Sequence, residues 1–201
     1  MRVREYIESF VTAQEQGLFL GDFGDLGLTV GPVVGRLLAF LVRLTRPKAI
    51  LEIGSYLGYS TLWLAAAANQ VGGRITAIEI DPAYCSRARA NLGLAGIEGV
   101  VDFRCGDAAK VLPSLNGLFD MVFVDCDKSI YATVLPECIR LTSHHGIIIA
   151  DDTLWLPIGL ESREEQAAVN GYNHAALSDP RLSSVILPVG DGLTISVKIG
   201  K

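Results

Sequence analysis

Long apolar runs are missing from this 201-residue chain: half of it is hydrophobic, yet no stretch approaches the ~18–20 residues needed to cross a bilayer. The opening Met1-Arg2-Val3-Arg4-Glu5 lacks the apolar core of a signal peptide, so a cytoplasmic protein is expected. Cysteine is sparse, and Cys85, Cys105, Cys126 and Cys138 include no C-x-x-C pair; reduced thiols are expected. Lysine and arginine form no run, and a net charge of −5 argues mildly against a nucleic-acid partner while leaving room for a local basic patch. Internal repeats, low-complexity tracts and a second domain are not found. The expectation is one domain over residues 1–201 with a substantial core.

The dinucleotide fingerprint G-x-G-x-x-G is missing too, at the place where a nucleotide fold would carry it. The apolar run Ala49 to Ile53 reads as a buried parallel strand, breaks at Gly54, and resumes as a helix from about Tyr59 to Ala68. Gly54 and Gly58 stand four apart, with Tyr56 where the middle glycine would be. A pyrophosphate would find little room beside that side chain. The two glycines permit a sharp turn and close approach of a ligand, and Glu52, just before the loop, suggests that the ligand is cationic. The loop, Ile50-Leu51-Glu52-Ile53-Gly54-Ser55-Tyr56-Leu57-Gly58-Tyr59-Ser60-Thr61, resembles the cofactor loop of class I methyltransferases that bind S-adenosylmethionine. It is especially similar to that of the catechol and caffeoyl-CoA O-methyltransferase family.

Along the chain, Arg2 to Gln16 carries Val3, Tyr6, Ile7, Phe10 and Val11 at helical spacing. Gly17 to Gly27 is glycine-rich but apolar, and reads either as a packed surface loop or as a lid over substrate. Pro32 opens a second helix with Val34, Leu37, Leu38, Leu41 and Val42 facing inward, stopped at Thr45-Arg46-Pro47. Residues 1–46 thus form N-terminal helices and a possible lid; residues 47–201 form the core. There strands at Ala49–Ile53, Arg74–Ile80, Val101–Cys105, Phe119–Asp125 and Gly146–Ala150 alternate with helices. The chain ends in two strands, Ser184–Val189 and Leu193–Ile199, joined by a tight turn at Gly190-Asp191-Gly192. The fold expected is α/β, Rossmann-like: a seven-stranded, mostly parallel sheet with a C-terminal antiparallel hairpin and helices on both faces. The resemblance extends from about residue 30 to the C-terminus.

Glu79, at the end of the second strand, is placed to accept both hydroxyls of a ribose. Gly106-Asp107-Ala108 follows the third strand, where small residues leave space for a flat adenine. The resemblance implies that Gly54 and Tyr56 contact the methionine end of S-adenosylmethionine, Ser60 its carboxylate, Glu79 its ribose and Ala108 its adenine. Glu52, Gly58, Gly106, Asp107, Asp125 and Asp127 complete the expected cofactor set. Tyr59 and Trp63 read as core.

Strand four ends in Asp125-Cys126-Asp127-Lys128 and strand five in Asp151-Asp152, so both acidic clusters are expected at one sheet edge. Converging carboxylates point to a divalent metal, and all-oxygen donors suit Mg²⁺, Ca²⁺ or Mn²⁺, Mg²⁺ before the others. The resemblance implies Asp125, Asp151 and Asp152 as metal ligands, although the family commonly has asparagine where Asp152 stands. Lys128 and Asp125 are the expected catalytic residues, Lys128 as base or orienting group. The apolar Trp155 to Leu160 reads as a substrate wall, His144 and His145 as turn residues at the far end of the sheet, and Cys126 as filler facing the core.

These features imply a metal-dependent O-methyltransferase acting on a small phenolic, catechol-like acceptor, and the resemblance adds a homodimer. A tRNA-modifying methyltransferase of the same fold is the alternative, opposed by the acidic balance. A non-catalytic S-adenosylmethionine binder would have no use for Asp125, Lys128 and Asp151. An NAD-dependent oxidoreductase is disfavoured by the glycine spacing and by the missing Tyr-x-x-x-Lys pair.

Overall fold

The computed structural model describes residues 17–25, 28–154 and 163–200. Its centre is β1 (Ala49–Ile53), buried from Ile50 onward on both faces, as its apolar residues Ile50, Leu51 and Ile53 require, with Glu52 buried among them. β1 pairs in parallel with β2 (Arg74–Glu79) on one side and β4 (Phe119–Val124) on the other. β3 (Val101–Cys105) extends the sheet beyond β2, and β5 (Thr142–Ala150) extends it beyond β4, both in parallel. The terminal strands β6 (Leu182–Leu187) and β7 (Leu193–Lys198) are antiparallel, giving a seven-stranded sheet of order β3-β2-β1-β4-β5-β7-β6.

The order reverses between β1 and β4, which makes the carboxyl ends of these two strands a topological switch point, where open α/β sheets bind their ligands. Alternate residues of each strand feed two cores. On one face Ile50, Met121 and Ile149 pack with Val34, Leu38 and Val42 of α1 (Gly31–Thr45) and with Leu62 and Trp63 of α2 (Tyr59–Val71). Ala88 and Leu92 of α3 (Pro82–Leu94) join this core. On the other face Leu51, Val122 and Ile148 pack against α4 (Ala108–Val111), α5 (Tyr131–Leu141) and α6 (Arg163–Ser178). Helices therefore cover both faces of the sheet, as the pattern of strands implied.

Several boundaries differ from the sequence reading. β5 begins at Thr142, so His144 and His145 belong to its irregular start, where the register against β4 shifts. They are still at the end of the sheet remote from the acidic loops. The cysteine expectation is overturned for one pair: Cys85 and Cys105 form a disulfide, with Cα atoms 6.3 Å apart, while Cys126 and Cys138 are free. The partners lie 20 residues apart in sequence, but α3 packs beside β3 and brings its first turn to that strand's end. The expected helix over Arg2 to Gln16 and the wall over Trp155 to Leu160 lie outside the described residues.

The segment from Phe19 to Asp25 is packed, not a free linker. Phe19 stacks on Tyr59, with ring centroids 4.7 Å apart, and Phe23 is buried. Asn91 of α3 donates from one amide nitrogen to the carbonyls of Asp22 (2.9 Å) and Leu57 (2.8 Å), and Arg87 pairs with Asp22. A Cβ on Gly21 would collide with the Asn91 side chain. These contacts hold the segment against the outer side of the β1–α2 loop.

Candidate active site

Two clefts open at the carboxyl edge of the sheet and share Gly54, Tyr56, Asp125 and Cys126. The first, about 250 Å³, runs from Ser60 to Asp151, Asp152 and Asp191, under Leu28, Thr29 and Val30. The second, about 230 Å³, runs from Glu79 past Ile80 and Tyr84 to Gly106, Asp107 and Ala108. Together they make one trough across the switch point, polar and acidic at one end and flat and apolar at the other.

The loop between β1 and α2 is fixed by two carboxylates. Glu52 is wholly buried, and its two oxygens accept from the hydroxyls of Ser60 (2.7 Å) and Thr61 (2.7 Å). Burial pushes the Glu52 carboxyl up to about 7; the Thr61 and Ser60 bonds oppose the shift, and the charges of Asp125 and Glu79 add to it. Glu79 accepts from the backbone N–H of Tyr56 (2.8 Å) and of Asp81 (3.0 Å). A carboxylate has about four acceptor positions, so Glu79 keeps acceptor capacity toward the second cleft that it lines. Tyr56 takes a left-handed backbone (φ 46°), and its ring packs edge-on to Tyr84.

The two loop glycines are placed differently. A Cβ on Gly54, itself at φ 89°, would come within 2.1 Å of the Asp125 carbonyl, so the β1 and β4 loops touch backbone to backbone. Gly58 lines neither cleft; its open side meets Ala88 and Leu92 of α3. Gly58 therefore packs protein against protein, while Gly54 does so and also lines both clefts. Glu52, like Gly58, lines neither cleft and holds the loop from behind, so it is not placed to meet the charge of a ligand.

At the acidic end, Lys128 is buried and all three of its ammonium protons are used. It donates to Asp125 Oδ1 (2.9 Å) and to the Tyr131 hydroxyl (2.9 Å), and pairs with Asp152 Oδ2 at 2.8 Å. Burial works against the charge on Lys128, but Asp125, Tyr131 and Asp152 outweigh it and hold the ammonium well above its ordinary range. Of the two roles expected for Lys128, this geometry serves the orienting one, since every N–H is engaged. Tyr131, which the sequence reading passed over, also donates to the Asp151 carbonyl at 3.0 Å and so ties β5 to this cluster.

Asp151 is the opposite case. It is 2% exposed, and its Oδ1 has no hydrogen-bond partner. Burial first, then the charges of Asp125 and Asp152, push its carboxyl well above the usual range. Asp152 stands on a left-handed backbone (φ 56°). Its carboxyl is raised by burial, against the pull of Lys128 and with the charges of Asp125 and Asp191 adding to the rise. The hard oxygen donors and the orphaned Asp151 oxygen suit a divalent cation. Among the described residues, however, no three carboxylates, histidines or cysteines stand in metal-binding geometry. Lys128 spans Asp125 and Asp152 instead.

The other expected residues fall as follows. Gly106, Asp107 and Ala108 line the second cleft, with Asp107 capping α4 through the Ala109 N–H (2.9 Å). Asp127 lines the same cleft, but its carboxylate is held by the Ser129 N–H (2.8 Å) and hydroxyl (2.6 Å), and it bonds neither Lys128 nor the loop. Cys126 lines both clefts, which corrects its reading as core filler. Tyr59 does both things, packing on Phe19 and lining the first cleft, and Trp63 is core. Asn173 positions the site from behind: it donates to the Thr153 carbonyl (2.7 Å) and accepts from Thr194 (2.7 Å). Asp191, read in the sequence only as part of a turn, reaches the first cleft from the β6–β7 hairpin.

This sheet order, with a trough crossing its switch point, is that of the class I S-adenosylmethionine-dependent methyltransferases. Residues 25–199 match the family model described as O-methyltransferase. The chain is 33% identical over 178 residues to a catechol O-methyltransferase of Niastella koreensis, covering 84% of this chain and 80% of that protein. It is 33% identical over 182 residues to a caffeoyl-CoA O-methyltransferase of Stellaria longipes, covering 84% of this chain and 75% of that one. Among solved structures, a Podospora anserina methyltransferase bound to S-adenosylhomocysteine superposes with a TM-score of 0.86 at 26% identity, covering 98% of this chain and 94% of that one. A Streptomyces achromogenes O-methyltransferase in complex with S-adenosylmethionine gives 0.82 at 25% identity, with both chains covered in full. The chain belongs to the O-methyltransferase family and is an S-adenosylmethionine-dependent methyltransferase.

Proposed function

We propose that the acceptor is a small phenol of catechol type, methylated on a hydroxyl oxygen with the help of a divalent metal ion. The observation that carries this reading is the buried, partnerless Asp151 oxygen in the first cleft, which Asp125, Lys128 and Asp152 also line. The relatives named for catechol and caffeoyl-CoA support a phenolic acceptor.

The donor's sulfonium end belongs beside Gly54, Tyr56 and Ser60, and its adenosine lies toward Glu79 and Ala108. The acceptor then enters under Leu28 to Val30, with its hydroxyl at the acidic cluster. Asp125, Asp151 and Asp152 would hold the metal, whose positive charge would acidify the phenolic hydroxyl so that its proton passes to solvent at the mouth of the cleft, Lys128 remaining protonated throughout. Lys128 places a second positive charge at the same point and fixes Asp125 and Asp152 relative to each other. Transfer is an in-line displacement at the sulfonium methyl, in which these residues supply proximity and alignment.

A radiolabelled methyl-transfer assay over catechols, caffeoyl esters and tRNA, with and without EDTA, tests both parts. The expected outcome is labelling of a catechol-type acceptor that EDTA abolishes and added Mg²⁺ restores. Labelling of tRNA alone would overturn the acceptor class, and full activity in EDTA would remove the metal.

A further inference from the structure

The turn between β6 and β7 is clipped to the loop after β5. The Thr153 N–H donates to the Gly192 carbonyl (3.0 Å), and the Leu154 N–H donates to the Asp191 carbonyl (2.9 Å). Gly192 stands at φ 99°, and a Cβ there would lie 2.3 Å from Leu154, so the two strips of backbone can approach only because residue 192 is glycine. This contact fixes Asp191 over the residues that directly follow Asp151 and Asp152, at the exposed rim of the first cleft. No ion pair or hydrogen bond ties down the Asp191 carboxylate among the described residues.

Charge in the cleft is therefore lopsided. Four carboxylates line it, Asp125, Asp151, Asp152 and Asp191, against the single ammonium of Lys128 among the described residues. Lys128 already spans Asp125 and Asp152. Asp151 Oδ1, buried and without a partner, independently marks the inner end as a place for a further group. A divalent ion at that end would cancel charge deep in the cleft, and Asp191 would still face whatever substituent the acceptor carries outward. An anionic substituent would be repelled there, and a cationic one attracted.

We propose that Asp191 selects the acceptor by charge, so that a catechol with a cationic side chain is preferred to a neutral one and an anionic one is disfavoured. This rests on the phenolic reading above. The test compares kcat/KM for aminoethylcatechol, ethylcatechol and dihydroxyphenylacetate in the parent, Asp191→Asn and Asp191→Lys. The cationic acceptor should exceed the anionic one by about tenfold in the parent, the scale of one attraction gained and one repulsion avoided at a partly exposed site. Asp191→Asn should shrink that ratio toward unity, Asp191→Lys should invert it, and raised salt should weaken it in the parent. Binding of S-adenosylhomocysteine by each variant reports that the trough is still formed. A parent that prefers the anionic acceptor, or a ratio that stays the same in both variants, overturns the assignment of Asp191 while leaving the phenolic reading in place. Methylation of none of the three acceptors would overturn the phenolic reading itself, and this inference with it.

Discussion

The two ends of the trough are both built on buried carboxylates, and they are finished to different degrees. At the end proposed for the donor Glu52 and Glu79 have both oxygens bonded, to Ser60, Thr61, Tyr56 and Asp81, and these bonds hold the loop in shape. At the acceptor end Asp151 Oδ1 has no partner, and the carboxylates crowd around one ammonium. A satisfied carboxylate network is framework, whereas a buried acid with an orphaned oxygen is costly, and burial answers part of that cost here by pushing the Asp151 carboxyl toward its neutral form. The same residue type is thus fully bonded on one side of Gly54 and left with an unpartnered oxygen on the other.

Removing Lys128 should separate the two ends most sharply. Lys128→Met leaves the half-buried Asp125 and Asp152 without their counter-charge, a loss of about 2–3 kcal/mol, below the range for fully buried pairs because both carboxylates keep some solvent. Thermal unfolding should show a fall on that order, and methyl transfer should drop by at least ~100-fold. Affinity for S-adenosylhomocysteine should stay within about twofold by titration calorimetry. Equal losses of donor binding and activity would mean that the ends are one network, and the contrast would go.

Glu79→Ala strikes the donor end. Donor affinity should weaken by about 1.5–3 kcal/mol, the range for hydrogen bonds to a charged group, with further cost from the freed Tyr56 N–H. The KM for the acceptor should barely move. An unchanged donor affinity in calorimetry would show that Glu79 serves the loop alone.

Glu52 gives the smallest and most specific effect. Its carboxyl is raised in the folded protein from 4.5 to about 7, so the native state holds the proton more tightly than the unfolded chain. The stability this contributes is complete below pH ~4.5 and is lost as pH rises through about 7, by the sign of the proton-linkage relation. Glu52→Gln should flatten that fall between pH 5 and 8 and stabilise the protein at pH 8 by about 1–2 kcal/mol. Denaturant melts across that pH range check it; identical slopes in parent and variant would place the proton elsewhere.

The fold was legible because its signals are local. The apolar run Ala49–Ile53, the Asp81-Pro82 cap and the alternating strands each identify an element without knowledge of its neighbours. The acidic clusters were legible because topology alone brings the ends of β4 and β5 to one edge. What could not be read depended on contacts distant in sequence. Cys85 meets Cys105 only because α3 packs against β3. Gly58 looked like a ligand-facing glycine until Ala88 and Leu92 were seen across from it. Asp191 gave a turn signal and nothing else, since its place in the cleft depends on the clip between Gly192 and Thr153. Glu52 had the right charge for a cationic ligand, but α2 folds back and consumes both of its oxygens.

Asp152 carries a consequence for how such a site can change over generations. Its left-handed backbone, φ 56°, is comfortable for few residue types: glycine, asparagine and aspartate lead them, and β-branched or bulky side chains are penalised. Of those three, glycine would remove the oxygen, which leaves aspartate and asparagine as the pair that keep it. The two differ by one unit of charge and almost nothing in shape. The backbone at this position therefore works as a two-position dial, on which substitution resets the charge of the acceptor end while the geometry around Lys128 and the donor loop stays as it was.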